Sequence, residues 1–222
     1  MARPRKTKLE TKTYDFKVTF LHVGEDSRLP ELMVQSVLKA MPGVEIVQLT
    51  DLHTKHVKGA SSVVRKPFNG LLMTFRLEHL ANITGNWLTL DTDIIVNSDL
   101  SHVFGQDFDV ALTKRYGKIL DERGKDIVAM MPYNTGVMFS RNPQFWKEAY
   151  RLLLKMPASA HQWWGDQLSV RLVADSKKYS LLELPCDNYN YSPKNLDDHK
   201  QCLVLHFKGA RKEWILNGDY KL

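Results

Sequence analysis

The sequence predicts an α/β domain of three layers, with a mixed but mainly parallel central sheet, and three observations carry that prediction. Strand-like and helix-like segments alternate almost from end to end, the first three form a βαβ unit, and no repeat, low-complexity insert or second core interrupts them. Phe16 to Val23 alternates and is rich in β-formers, then gives way to the polar loop Gly24-Glu25-Asp26-Ser27. Pro30 opens a helix. Its apolar stripe, Leu32, Val34, Val37 and Leu38, runs to Met41, and Pro42-Gly43 stops it before a second strand, Val44 to Leu49. Asp51 lies just past that strand, at the carboxyl edge where open α/β sheets bind ligands. A turn or cap role for Asp51 fits the same position.

Phe68 to Leu80 reads as the next amphipathic helix, with Leu71, Leu72, Phe75 and Leu80 apolar and no requirement that Arg76 face the core. It leads into the run Leu88 to Val96. Further strands are expected at Val110 to Thr113, Thr135 to Ser140 and Cys202 to His206, and helices from about Pro143 to Lys155 and after Asp166.

Composition sets the class. With 43% hydrophobic and 25% charged residues among 222, the chain has the make-up of an ordinary globular protein with one compact domain, expected over 14–222. No apolar stretch approaches the roughly 20 residues that span a bilayer, and Met1 to Lys6 lacks the apolar core of a secretion signal, so a cytoplasmic location is expected. Cys186 and Cys202 form no CxxC pair; reduced thiols are expected, and a cysteine-built zinc site is not. The 31 Lys and Arg against 25 Asp and Glu give +6, which favours anionic partners: phosphates, nucleic acid or acidic lipid. The basic residues are dispersed in pairs such as Lys114-Arg115 and read mostly as solvated surface. Residues 1–13 are basic and poor in apolar groups, the pattern of a flexible arm.

The run Leu88-Thr89-Leu90-Asp91-Thr92-Asp93-Ile94-Ile95-Val96 sets two carboxylates one residue apart in an otherwise apolar strand. In extended backbone, i and i+2 share a face, so Asp91 and Asp93 could jointly offer oxygens to Mg²⁺ or Mn²⁺, and the metal could hold a diphosphate. By spacing alone, a strand cap that begins a turn is the more common reading. His206, after Leu203-Val204-Leu205, reads by itself as a core histidine with one hydrogen bond.

Taken together, several segments resemble the GT-A nucleotide-sugar glycosyltransferases, most closely glycosyltransferase family 8, the family of glycogenin-type and lipopolysaccharide galactosyltransferase-type enzymes. The resemblance runs from about Phe16 to Trp214. Thr74-Phe75-Arg76-Leu77 is similar to the family's aromatic-x-Arg-Leu segment, and Leu90-Asp91-Thr92-Asp93 to its Leu-Asp-x-Asp core. Asp99 to Phe104 resembles the segment that follows. Asn134-Thr135-Gly136-Val137-Met138 resembles its Asn-x-Gly-Val stretch, and Asp166-Gln167 its Asp-Gln pair. The strongest match is His206-Phe207-Lys208-Gly209-Ala210-Arg211-Lys212, which fits HFxGxxK, with Trp214 beyond it.

The resemblance implies a GT-A, Rossmann-like fold and a metal-dependent transfer of sugar from a nucleotide-sugar donor, UDP-linked by analogy, with retention of anomeric configuration. Asp91, Asp93 and His206 would hold the metal, with the nitrogen ligand favouring Mn²⁺ over Mg²⁺. Lys212 and backbone around Gly209 would meet the diphosphate. Gly24, Asp26 and Asp51 would lie on the nucleoside side, and Arg76, Thr92 and Asn134 would complete the donor site. Asp166 and Gln167 would lie nearest the reacting carbon, by a nucleophilic or a front-side route. Departures touch the acceptor side: Glu213 stands where proline is common, and Leu168-Ser169-Val170 follows the Asp-Gln pair. No basic extension follows the last motif, which disfavours a lipid-linked acceptor.

Two acceptors remain open, a hydroxyl on a saccharide or glycoconjugate and a hydroxymethylated base of phage-type DNA. The small size, positive net charge and basic arm are compatible with the second, whereas +6 on 222 residues is modest and Trp163-Trp164 could stack on a sugar as readily as on a base. A non-catalytic polyanion-binding module is the alternative of another class, disfavoured because it would not require both aspartates, His206 and Lys212. A nucleotidyltransferase would be expected to show a glycine-rich phosphate loop near the first strand.

Overall fold

A computed structural model describes residues 12–120, 124–162 and 164–221. Most of the expected basic arm, residues 1–11, and Trp163 lie outside the described residues. Lys12 is tied down, its Nζ 2.5 Å from Asp99 Oδ2 and 2.8 Å from Ser101 Oγ.

Strand β1 (Lys17–Leu21), helix α1 (Arg28–Ala40) and strand β2 (Glu45–Thr50) form the expected βαβ unit, with β1 and β2 parallel from Lys17↔Glu45 to Leu21↔Leu49. β3 (Ser62–Arg65) extends this sheet beside β2. It is mostly exposed, so it carries no apolar period by which sequence could mark it. Helix α2 (Leu72–Leu80) starts later than Phe68 because Asn69-Gly70 turns the chain. Gly70 has φ +83°, and Asn69 Oδ1 accepts from the Leu71 N–H.

β4 (Trp87–Leu90) then returns to the other side of β1, also parallel. This reversal makes the carboxyl ends of β1 and β4 a topological switch point. All four β4 residues are buried, as a strand covered on both faces requires. β5 (Ile94–Val96) leaves the sheet, and β6 (Val110–Lys114), short helix α3 (Ile127–Met130) and β7 (Tyr133–Ser140) follow. Then come α4 (Pro143–Leu153), α5 (Ala158–Gln162), α6 (Gly165–Asp175), β8 (Leu181–Pro185), α7 (Cys186–Tyr189), β9 (Val204–His206) and α8 (Lys212–Leu216).

Among the described residues the main sheet has seven strands, in the order β3-β2-β1-β4-β7-β6-β8. β7 runs antiparallel to both its neighbours and the other pairings are parallel. The mixed, mainly parallel sheet predicted from the alternation is therefore observed. Between β6 and β7 the helix among the described residues is the short α3, and the two strands pair antiparallel. One core packs α1 onto one face through Met33, Val34 and Val37 against Phe20, Leu88 and Phe139. A second packs α2, α4 and α6 through Leu77, Trp146 and Val170 against Leu49, Trp87 and Met138. No helix among the described residues is long and apolar enough to cross a membrane. Cys186 and Cys202 are both free.

One expectation is corrected. Leu88 to Val96 is not a single strand: β4 ends at Leu90, and β5 pairs antiparallel with β9 in a separate two-stranded sheet. A carboxylate inside the fully buried main sheet would lose its hydration without a partner. The chain instead crosses between sheets over Asp91-Thr92-Asp93, where charged partners are within reach.

Gly165 shows how tightly the helix carrying Asp166 and Gln167 is seated. A Cβ there would stand 2.4 Å from the Ala160 carbonyl oxygen and 2.4 Å from Leu153 Cδ1. Gly165→Ala is expected to destabilise the protein by about 1–3 kcal/mol through overpacking, read as a lowered denaturation midpoint. An unchanged midpoint would contradict the α5–α6 packing.

Candidate metal centre

The crossover brings the two aspartates together by anchoring each to a different ladder. The Asp91 N–H donates to the Gly136 carbonyl at 2.9 Å, continuing the β4–β7 ladder, and the Asp93 carbonyl accepts from the Phe207 N–H at 2.9 Å, continuing β5–β9. In the small sheet His206 stands opposite Ile94, next to Asp93. Three donors therefore converge: one atom each from Asp91, Asp93 and His206 lies within 4.8 Å of the others, a group that could hold a metal ion. His206 Nε2 is 3.0 Å from Asp93 Oδ1 and 3.6 Å from Asp91 Oδ2. Two carboxylates and an imidazole suit a divalent cation, and the nitrogen makes the set softer than an all-oxygen one. Space for the imidazole comes from Gly136, whose Cβ would lie 2.4 Å from His206 Cε1.

Cations surround the group. Arg76 Nη2 donates to Asp91 Oδ1 at 2.8 Å and to the Thr135 carbonyl at 2.5 Å, while Nη1 donates to Asp166 Oδ2 at 3.1 Å. The sequence did not require Arg76 to face inward; it is only 8% exposed, because it joins these two carboxylates. Burial works against its charge, yet Asp91 and Asp166 win and raise its pKa. Lys212 Nζ lies 3.3 Å from Asp93 Oδ2. Burial alone would push the Asp93 carboxyl up, but His206 and Lys212 hold it down at about 2. Asp166 goes the other way: burial raises it despite Arg76 and the hydroxyl of Thr135, which donates at 3.0 Å.

Two buried polar atoms at the site have no partner among the described residues, Asp166 Oδ1 and Asn134 Nδ2. One is an acceptor and the other a donor, the pair that a ligand's hydroxyls would satisfy. Beside them Gln167 Oε1 accepts from Arg115 Nη2 at 2.8 Å. A cavity of about 330 Å³ opens between the ends of β1 and β4 and the start of α2, lined by His22, Val23, Met73, Arg76, Asp91, Thr92, Asp93 and Lys212.

The other sequence-selected residues are placed as follows. Gly24, at φ +127°, donates its N–H to Thr54 Oγ1 at 2.9 Å, and Asp51 Oδ1 accepts from the Thr54 N–H at 2.7 Å, so the two loops are tied through Thr54. The Asp51 carboxylate is occupied by this turn. Asp26 is exposed and paired with Arg28 at 2.6 Å, outside the residues lining the cavity. Gly209, at φ +60°, begins the turn that leads into α8 and Lys212. Trp164 packs against the core and stands immediately before α6.

Sequence reasoning missed Thr113, Arg115, Thr135, Asn190 and Lys208 as members of this neighbourhood. Arg115, expected on the surface, is half-buried against the Met131 and Tyr133 carbonyls. Burial and the nearby Arg115 charge lower Lys208 to about 8. The Lys208 position is the variable one in its motif, and Asn190 stands in no motif, so neither carried a signal.

No profile of a known protein family matches the sequence. No curated protein matches it either. Among solved structures, the chain is similar to that of the glycosyltransferase GlyE of Streptococcus pneumoniae TIGR4, with a TM-score of 0.59 and 18% sequence identity. The match covers 91% of this chain and 56% of that one, so this chain spans little more than half its neighbour's length. At that identity the likeness concerns the fold, which is the Rossmann-like GT-A type.

The low pKa of Asp93 has a consequence in acid. A carboxyl whose folded value, about 2, lies below its usual 3.8 contributes stability that is fully present above about pH 4 and is lost as pH falls towards 2. The stability difference between wild type and Asp93→Asn should shrink across that interval in denaturant titrations. A difference independent of pH would contradict the His206 and Lys212 contacts.

Proposed function

We propose that this chain is a metal-dependent glycosyltransferase that moves a sugar from a nucleoside diphosphate sugar, UDP-linked, to a hydroxyl on a saccharide or glycoconjugate, with retention of anomeric configuration. The convergence of Asp91, Asp93 and His206 at the lip of a cavity at the topological switch point carries this reading. The GT-A fold adds weight to it, and so does the order of motifs resembling glycosyltransferase family 8.

Asp91, Asp93 and His206 would hold Mn²⁺, or Mg²⁺ in its place. Such an ion supplies Lewis-acid stabilisation of the charge that develops on the leaving diphosphate. Lys212, whose side chain is 42% exposed and whose ammonium already lies beside Asp93, adds positive charge on the same side. Asp93 is buried while the Lys212 side chain is partly solvated, so the lysine can turn from that pair to the ligand it faces. Asn134 Nδ2 and Asp166 Oδ1 supply a donor and an acceptor to sugar hydroxyls. Gly24, Thr54 and Asp51 shape the nucleoside side, and backbone at Gly209 approaches the diphosphate.

The surroundings of Asp166 and Gln167 favour the front-side route. The Gln167 carbonyl oxygen accepts from the Arg115 guanidinium, which draws electron density from it, and Asp166 Oδ2 is held by Arg76 and Thr135. An amide and a carboxylate engaged in this way are poor nucleophiles, so the front-side route is the one we favour.

The test is release of nucleoside diphosphate from a panel of UDP- and GDP-sugars, with and without Mn²⁺ and acceptors that include saccharides and hydroxymethylated DNA. Mn²⁺-dependent turnover is expected with at least one UDP-sugar, and Asp93→Asn should reduce it by roughly a hundredfold or more, the scale of losing charge stabilisation at a leaving group. Absence of turnover and of donor-dependent thermal stabilisation across the panel would overturn the reading.

A further inference from the structure

His206 has two ring nitrogens, and only Nε2 faces the aspartates. Nδ1 lies 2.7 Å from Asn190 Oδ1. An amide oxygen carries no hydrogen, so that contact is a hydrogen bond only when Nδ1 holds one. The orientation of the Asn190 amide therefore decides which nitrogen is protonated, and two contacts fix it. Asn190 Nδ2 lies 2.7 Å from Thr113 Oγ1 and 3.4 Å from the Asn134 carbonyl oxygen. The Thr113 hydroxyl donates its own hydrogen to the Asn134 carbonyl at 2.7 Å, which leaves Oγ1 as an acceptor. It can meet the NH₂ end of the amide and not the oxygen end.

The relay runs in one direction, from His206 Nδ1–H to Asn190 Oδ1, from Asn190 Nδ2–H to Thr113 Oγ1, and from Thr113 Oγ1–H to the Asn134 carbonyl. All its members are buried, with His206 3%, Asn190 2%, Thr113 0% and Asn134 5% exposed. On its other side the ring lies against bare backbone, since a Cβ on Gly136 would stand 2.6 Å from Nδ1. Ring and amide are therefore clamped between strands β6, β7 and β9 and the end of α7.

We propose that Asn190, held by Thr113 and the Asn134 carbonyl, is a positioning residue that fixes His206 with its hydrogen on Nδ1 and presents the Nε2 lone pair to a divalent cation. The inference rests on the metal reading of Asp91, Asp93 and His206. It adds two residues, Asn190 and Thr113, that touch neither metal nor substrate and stand in no recognised motif. A ligating histidine whose second nitrogen is anchored in this way keeps its tautomer and ring direction, and loss of such an anchor typically lowers metal affinity 10–100-fold.

The test pairs ¹⁵N spectroscopy of the histidine side chains with Mn²⁺ titration followed by electron paramagnetic resonance. In wild type, metal-free and Mg²⁺-loaded, His206 Nδ1 should carry a slowly exchanging hydrogen. Asn190→Leu, apolar and similar in size, should lose that signal and bind Mn²⁺ about 10–100-fold more weakly. Asn190→Asp keeps an acceptor for Nδ1 and should hold Mn²⁺ affinity within about threefold, although it buries a carboxylate. Thr113→Val, which leaves the amide free to turn, should weaken Mn²⁺ binding several-fold while the circular dichroism stays native.

A purely structural Asn190 would give the opposite order, with Leu tolerated better than Asp. That order, wild-type affinity in Asn190→Leu, or an Nδ1 without hydrogen in wild type would each overturn the proposal. Failure of wild type itself to bind Mn²⁺ would sink the metal reading, while the spectrum would still report where the hydrogen sits.

Discussion

The buried guanidinium of Arg76 is the interaction on which the rest of the site depends. It joins Asp91 at the end of β4, Thr135 on β7 and Asp166 on α6, and thereby locks three elements around one positive charge. Removing one partner from a buried pair of this kind costs about 3–5 kcal/mol, because the charge left behind has neither water nor a counter-ion. Arg76 is therefore a structural residue and, in the proposed function, part of the donor site at once. Its loss would blur the two roles, whereas Lys212, more exposed and singly paired, separates them.

The second constraint is topological. Two hydrogen-bond ladders end within three residues of each other, and the chain must cross from one to the other. Asp91 is held by the main sheet and Asp93 by the small one, so their carboxylates meet by the geometry of the crossover and not by the alternation of a strand. The turn reading and the metal reading of the Asp-x-Asp run thus describe the same three residues. A turn is what lets a buried apolar sheet carry two charges at its edge.

The sequence made legible whatever has a period or a punctuation mark: the βαβ unit, the Pro30 start of α1, the strands that became β6, β7 and β9, and the long helices α4 and α6. It hid β3, whose residues are mostly exposed, and it merged β4 with β5 because apolar content cannot tell one strand from two in different sheets. At the site, Asp91, Asp93 and His206 were legible as a set only through their resemblance to a family. Their spacings, two residues in one case and more than a hundred in the other, carry no physical link until β5 and β9 pair. Asn190 and Thr113 were invisible because a relay of single hydrogen bonds between distant elements leaves no pattern along the chain.

The fold, the cavity and the charge pattern all converge on one atom-scale claim, that a divalent cation binds between Asp91, Asp93 and His206 with a diphosphate beside it. Anomalous diffraction from crystals grown with Mn²⁺ and UDP tests it most directly. The account predicts a single manganese peak within about 2.0–2.3 Å of one oxygen of each aspartate and of His206 Nε2, with the UDP phosphates against Lys212. Manganese elsewhere, or UDP bound away from the crossover with no metal, would contradict it.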